Sequence, residues 1–312
     1  MRTRSGVLAV ALPLAALLAS ACSSSPASSG QAATASAAKI TAIGAENEYA
    51  DVIAQVGGKY VQASAIMSNP NTDPHTFEAS PAVAREITAA KLIVQNGVGY
   101  DDWATTIENA DPGDSRKIIN VQQLLGLPDS TPNPHLWYKP ATMPAVANAI
   151  AAGLGQIDAA HASYYKANAA SFIAGLNGWN NAIAAFRTAH PGVPVATTEP
   201  VADYLLQAVG ADNLTPWAFQ ADIMNGTDPS PQDVAIENSL FTQRKVKVFL
   251  YNQQVTDSLT ESFIKLANQN GIPVVSVYET MPTPGYDYQS WMLAEVNALN
   301  KALTAKVSTE RL

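Results

Sequence analysis

Between residues 39 and about 141 the chain alternates short apolar runs with helical stretches. Ile40-Thr41-Ala42-Ile43 predicts a strand, 48–56 a helix and 60–66 a second strand. Positions 81–90 then read as a helix, 92–96 as a strand, 101–108 as a helix and 118–121 as a fourth strand. Strands and helices in alternation imply a parallel sheet with helices on both faces. After Pro144 the rhythm changes. No proline interrupts the stretch to Thr188, and Tyr165, Phe172, Trp179 and Phe186 recur every seven residues, with Leu176 and Ile183 between them. One apolar seam of this kind predicts a helix packed along one side. About 40 residues of helix would reach ~60 Å, with Gly153, Gly155, Gly175 and Gly178 as the places to bend. After His190-Pro191-Gly192 the alternation resumes, with strands at 193–197, 246–251 and 274–277 and helices at 201–209, 231–243, 259–269 and 288–303. The expected fold class is α/β: two lobes with parallel β-sheets flanked by helices, joined by one long rigid helix. The N-terminal lobe would span 39–141, the connecting helix 142–189 and the C-terminal lobe 190–312.

The first residues follow another pattern. Arg2 and Arg4 precede an apolar run from Val7 to Leu18 that is too short to span a membrane as a mature helix. Ala19-Ser20-Ala21 then lead to Cys22, the only cysteine. This looks like a lipoprotein signal peptide over 1–21, after which the Cys22 thiol is lipidated, although the leucine stands four places before the cysteine rather than three. An ordinary secretory leader with an incidental cysteine is the alternative. Residues 23–38 are rich in Ser, Ala and Gly, cannot bury a core, and read as a flexible tether. The expected location is therefore the extracytoplasmic face of a cell membrane, held by the lipid. The formal net charge is -8, and losing Arg2 and Arg4 with the leader makes it more negative. That argues against nucleic acid and anionic lipid surfaces as partners.

Candidate chemistry centres on histidine, of which the chain has four. Asp73-Pro74-His75-Thr76-Phe77 and Asn133-Pro134-His135-Leu136-Trp137 each place a histidine behind a proline and two residues before an aromatic, in a loop. Each is soon followed by Pro-Ala-Val-Ala opening a helix, at Pro81 and Pro144. Imidazole is the commonest side-chain metal ligand, and proline stiffens its loop; the plainer alternative is a pair of exposed turn residues that cap helices. In open α/β sheets ligands bind beyond the carboxyl ends of strands. Glu199 and Glu279 stand at such ends in the second lobe, where each could equally be a helix-start carboxylate. Two imidazoles and two carboxylates at equivalent places in two lobes make a coherent ligand set for a divalent transition metal. His161, on the expected connecting helix, and His190, at its end, read as solvated.

These segments, together with Gln95-Asn96-Gly97-Val98-Gly99-Tyr100-Asp101-Asp102-Trp103 and Glu279-Thr280-Met281-Pro282, resemble the metal-binding lipoproteins of zinc and manganese ABC importers, the ZnuA/TroA-like family. The resemblance runs from Lys39 to the C-terminus. It implies two α/β lobes around one backbone helix, with a metal held between the lobes. It also implies a monomeric, non-enzymatic solute-binding protein that delivers Zn2+ or Mn2+ to an ABC permease and its ATPase subunit. His75 and His135 match the family's first two ligands; Glu199 stands at the third position, where zinc-type members often have histidine and others glutamate, and Tyr204 matches an aromatic that follows it. Glu279 stands where many members have aspartate, so Asp222, Asp228 or Asp287 could take the fourth place. Many zinc-type relatives carry a long loop rich in histidine and acidic residues before the second histidine; here 124–132 is short and has no histidine, which leans away from the high-capacity zinc type without excluding zinc.

Two other classes fit parts of this pattern. A zinc hydrolase also uses two histidines and a glutamate with an open position, but no His-Glu-x-x-His stands in the chain. A surface adhesin lipoprotein would need no metal.

Overall fold

Strands covered by helices on both faces need side chains that are apolar on both, and residues 92–95 and 248–252 supply such runs. The computed structural model describes residues 38–71, 73–113 and 115–312. The expected signal peptide, Cys22 and the tether as far as position 37 lie outside the described residues. No described helix is long and apolar enough to cross a membrane.

The first lobe runs β1 (Ile40–Glu46), α1 (Asn47–Gly57), β2 (Val61–Met67), α2 (Pro81–Ala89), β3 (Leu92–Gln95), α3 (Asp102–Ala110), β4 (Lys117–Asn120) and the short α4 (Val121–Leu124). Its strands lie in the order β2-β1-β3-β4, all parallel. Local chemistry sets the helix starts: the Ser80 hydroxyl accepts the Val83 N–H, with Pro81 behind it, and Asn120 caps α4. Then come α5 (Thr142–Ile157), α6 (Ala162–Gly175) and α7 (Asn177–Ala189). The second lobe follows as β5 (Pro194–Thr197), α8 (Asp203–Val209), β6 (Asp212–Asn213), α9 (Trp217–Met224), α10 (Pro231–Thr242), β7 (Val248–Asn252), α11 (Ser258–Gln269), β8 (Val274–Val277) and α12 (Tyr288–Ala305). Its order, β6-β5-β7-β8, repeats the parallel plan. After α12 the chain returns along the free edge of β8, where Ser276 N donates to Thr309 O and Thr309 N to Val274 O, both at 2.8 Å.

The expected helix over 142–189 is divided. Asp158 leaves the helix with φ -136° and ψ 81°, and Ala159–His161 form a 3-10 turn. The Asp158 carboxylate fastens that turn by accepting from the Tyr165 hydroxyl at 2.8 Å and meeting His161 Nδ1 at 2.7 Å. So α5 folds back on α6 as a hairpin within the first lobe. The joining helix is α6 with α7, almost continuous through Leu176 and ~40 Å long at 1.5 Å per residue. Its aromatic seam is buried: Tyr165, Phe172, Trp179 and Phe186 belong to one apolar cluster reaching from α1 and β3 of the first lobe to β5, β7 and α12 of the second. Two smaller clusters fill the other faces of the sheets.

Candidate metal centre

In each sheet the strand order reverses beside the first strand, between β1 and β3 and between β5 and β7, and a crevice forms at such a switch point. The loops after β2 and α4 in the first lobe meet the loop after β8 in the second beside these points. In the first lobe the Asp73 carboxylate accepts the His75 N–H at 2.8 Å, and Pro74–Thr76 closes as a 3-10 turn that fixes the imidazole's direction. Neither histidine caps the following helix; Ser80 does that work at α2. Asn133 holds His135 twice: its Oδ1 accepts the His135 N–H at 3.0 Å and lies 2.8 Å from the ring Nδ1. That contact places the ring proton on Nδ1 and leaves Nε2 with a free lone pair.

From the second lobe, Glu279 follows β8 and reaches these rings. Its Oε2 lies 3.0 Å from His75 Nε2 and 3.2 Å from His135 Nε2. These separations approach the roughly 3.4 Å between neighbouring ligand atoms around a tetrahedral ion with ~2.1 Å bonds. His75 Nε2 has no partner in hydrogen-bonding alignment, so it is aimed past the carboxylate oxygen rather than along it. His75, His135 and Glu279 are the one group of three or more potential metal-ligating residues whose donor atoms converge among the described residues. His135 and Glu279 are wholly buried, and His75 keeps 20% of its side chain exposed.

Glu199 follows β5 and is buried, but stands one step back from the three. Its Oε1 accepts from Asn252 Nδ2 at 3.1 Å, and the same nitrogen donates to Glu279 Oε1 at 2.7 Å. Glu199 Oε2 has no hydrogen-bond partner. The alternative aspartates are engaged or exposed elsewhere: Asp287 caps α12, Asp222 bonds Thr227, and Asp228 is at the surface. His161 lies in the turn after α5, stacked on Tyr60, and His190 ends α7 beside Asn300.

The charges follow from this geometry. Burial works to raise the Glu279 carboxyl, yet the two imidazoles hold it well below the ordinary range. Burial pulls against protonation of His75, but the Glu279 charge outweighs it and the imidazole titrates above its usual range. His135, fully enclosed, is pushed down by burial. Burial and then the Glu279 charge push Glu199 well up. No arginine or lysine pairs with these carboxylates among the described residues. In place of such a partner, a divalent cation that displaces the protons of His75 and Glu199 would meet two imidazole lone pairs and two carboxylates.

Several residues of the site were not singled out by the spacing of the sequence. The hydroxyl of Tyr100 donates to Glu279 Oε2 at 2.9 Å, and its ring packs edge-on against both imidazoles. The turn before it explains the Asn-Gly-Val-Gly motif: Gly97, Val98 and Gly99 all have positive φ, and Asp101 accepts the Asn96 and Gly97 N–H groups. Asn252 ends β7, so the strand-end rule that marks Glu199 and Glu279 marks it too. Other polar contacts stitch the lobes. Asn47 donates to Met281 O at 2.7 Å and accepts Met281 N–H at 2.8 Å. Asn133 donates to Pro200 O at 2.7 Å, and Tyr204 donates to Asn133 O at 3.0 Å.

The family model of ZnuA, described as the periplasmic component A of a zinc-uptake complex, matches residues 45–302. A crystal structure of ZnuA is similar over 86% of this chain and 100% of that one, with 20% identity and a TM-score of 0.69. The solute-binding protein FpvC from Pseudomonas aeruginosa, solved in complex with Mn2+, covers the same shares at 20% identity and a TM-score of 0.70. A Mn-bound periplasmic metal-binding protein from Candidatus Liberibacter asiaticus matches 85% of this chain and 100% of its own, at 19% identity and a TM-score of 0.67. At these identities the likeness to the solved structures is one of fold.

Proposed function

Because this chain belongs to the ZnuA family, we propose that it is an extracytoplasmic solute-binding protein that captures one divalent transition metal, zinc or manganese, between its lobes. It then delivers the ion to an ABC permease driven by an ATPase subunit. The observation that carries this reading is the convergence of His75 Nε2, His135 Nε2 and Glu279 Oε2 from two lobes at spacings close to those of a metal's ligands. Glu199, whose Oε2 has no hydrogen-bond partner, is the fourth ligand. Two neutral imidazoles and two carboxylates neutralise a divalent cation, so the ion leaves water for a buried site without stranding a net charge.

The ion enters past His75, the one ligand with solvent exposure, and Glu279 and Glu199 close on it from the other lobe. Release follows when docking to the permease draws one lobe's ligands away. The metal is cargo, and the protein is a carrier rather than a hydrolase or an adhesin. It acts as a monomer, tied to the membrane through lipidated Cys22 after loss of residues 1–21.

Protein carrying Cys22→Ser, purified without added metal, would be analysed for bound metal and then titrated with Zn2+ and Mn2+ in competition. One ion per chain, lost in a His75→Ala/His135→Ala variant that keeps its thermal unfolding, is the expected result. Failure of the parent to take up either ion would sink the reading, and ester or peptide hydrolysis by the loaded protein would move it to the hydrolase class.

A further inference from the structure

Asn252 closes β7 at the point where the second sheet's strand order reverses, and its side chain is fully buried. Both ends of the residue are fixed. Its backbone N–H donates to Thr198 Oγ1 at 3.0 Å, and its Oδ1 accepts the Gln254 N–H at 3.0 Å. Accepting with Oδ1 forces both hydrogens of Nδ2 in the opposite direction. They go to Glu199 Oε1 at 3.1 Å and Glu279 Oε1 at 2.7 Å. Gln254 completes the frame by accepting the Glu279 and Thr280 N–H groups.

The consequence is a count of donor atoms. Two glutamates could offer four oxygens to an ion. With both Oε1 atoms held by one amide, each carboxylate is turned to present Oε2 first, which favours ligation through one oxygen even though Glu279 Oε2 also accepts from the Tyr100 hydroxyl. Glu279 Oε2 is the atom that the imidazoles already face, and Glu199 Oε2 is buried without a hydrogen-bond partner. Two nitrogens and two oxygens make a four-donor cage, which suits zinc. Manganese favours more oxygen donors and a higher coordination number.

We propose that Asn252 is the positioning residue that restricts Glu199 and Glu279 to one oxygen each and thereby selects zinc over manganese. This rests on the metal-carrier reading, and it commits that reading to a cargo. Its signature is coordination number, which a merely structural role would leave alone.

Co2+ reports that number directly, because four-coordinate Co2+ absorbs visible light far more strongly than five- or six-coordinate Co2+. The parent protein loaded with Co2+ is expected to give the intense four-coordinate spectrum. Asn252→Ala is expected to fade it, to weaken Zn2+ binding by about tenfold to a hundredfold, the usual cost of losing a hydrogen bond behind a metal ligand, and so to lower the Zn2+-over-Mn2+ preference. A weak Co2+ spectrum in the parent that nonetheless binds metal overturns the proposal while leaving the carrier reading intact. So does an unchanged spectrum and preference in Asn252→Ala. A parent that binds no metal overturns both. The parent spectrum keeps the proposal refutable even if Asn252→Ala does not fold, and Asn252→Asp, which keeps the Oδ1 acceptor and lacks the Nδ2 hydrogens, then carries the comparison.

Discussion

Asn133 shows how much of the site hangs on one amide. Its oxygen sets the tautomer of His135, its nitrogen holds Pro200 beside Glu199, and its backbone carbonyl accepts from Tyr204. Asn133→Ala is therefore expected to weaken metal binding by roughly 10- to 100-fold, read by competition with a chelator. Asn133→Asp keeps the acceptor and should recover part of the loss; equal weakening by both variants would count against the tautomer argument. The turn that presents Tyr100 offers a second residue-scale comparison. A Cβ at Gly97 would meet Gln122 Cβ at 2.8 Å and Asn120 Oδ1 at 2.9 Å, whereas one at Gly99 would meet nothing within 4 Å. Both positions have positive φ, so each alanine carries a conformational cost of about 1 kcal/mol. Gly97→Ala adds a clash, and it should lower the melting temperature clearly more than Gly99→Ala and weaken metal binding through Tyr100. Equal melting temperatures would contradict this.

At the scale of elements, α12 carries a buried carboxyl into the seam between the lobes. Glu295 accepts from Trp291 Nε1 at 3.1 Å and from the Tyr138 hydroxyl at 3.2 Å, and burial pushes its pKa to about 8 from 4.5. Between those values the folded chain holds a proton that the unfolded chain releases, so this group costs stability as the pH rises through that window. Glu295→Gln removes the cost. The variant should melt near the parent at about pH 5 and several degrees above it at about pH 8.5; a constant difference across that range would show the residue ionised in the fold. The elements also mark where sequence reasoning succeeds and where it stops. Strands such as β3 and β7 and the helices between them were legible because buried parallel strands are apolar on both faces. The two-residue β6 was not, being Asp-Asn and held by the register of its neighbour β5 rather than by any apolar pattern. The weakly patterned α9 was missed likewise. The division of 142–189 carries no proline or glycine mark: the helix breaks at Asp158, whose carboxylate fastens the turn by local bonds to His161 and Tyr165. The convergence of His75, His135 and Glu279 could be expected from motifs and strand ends. Asn252 also stands at a strand end, but its role and that of Tyr100 lie in hydrogen bonds between segments far apart in sequence, which no local pattern carries.

The whole molecule is two sheets on one core. The apolar cluster runs unbroken from α1 to α12 along the joining helix, and polar ties such as Asn47 to Met281 cross the lobes beside the site. Lobes joined in this way cannot swing far without opening that core, so metal loading should leave the radius of gyration in solution scattering essentially unchanged. A large compaction on loading would show a free hinge. Because the seam of α6 and α7 belongs to both lobes, heating should give a single calorimetric transition rather than one for each sheet. The shared core has one further consequence. Binding energy gained at the cleft stabilises every part of a molecule that unfolds as one unit, by about 4 kcal/mol at a thousandfold excess of metal over the dissociation constant. Proteolysis that acts through unfolding samples that same equilibrium. A loaded carrier would then resist digestion far from its metal, and an unloaded one would be exposed along its whole length. Occupancy of a single buried site would thus become a signal that any protease meeting the protein could read.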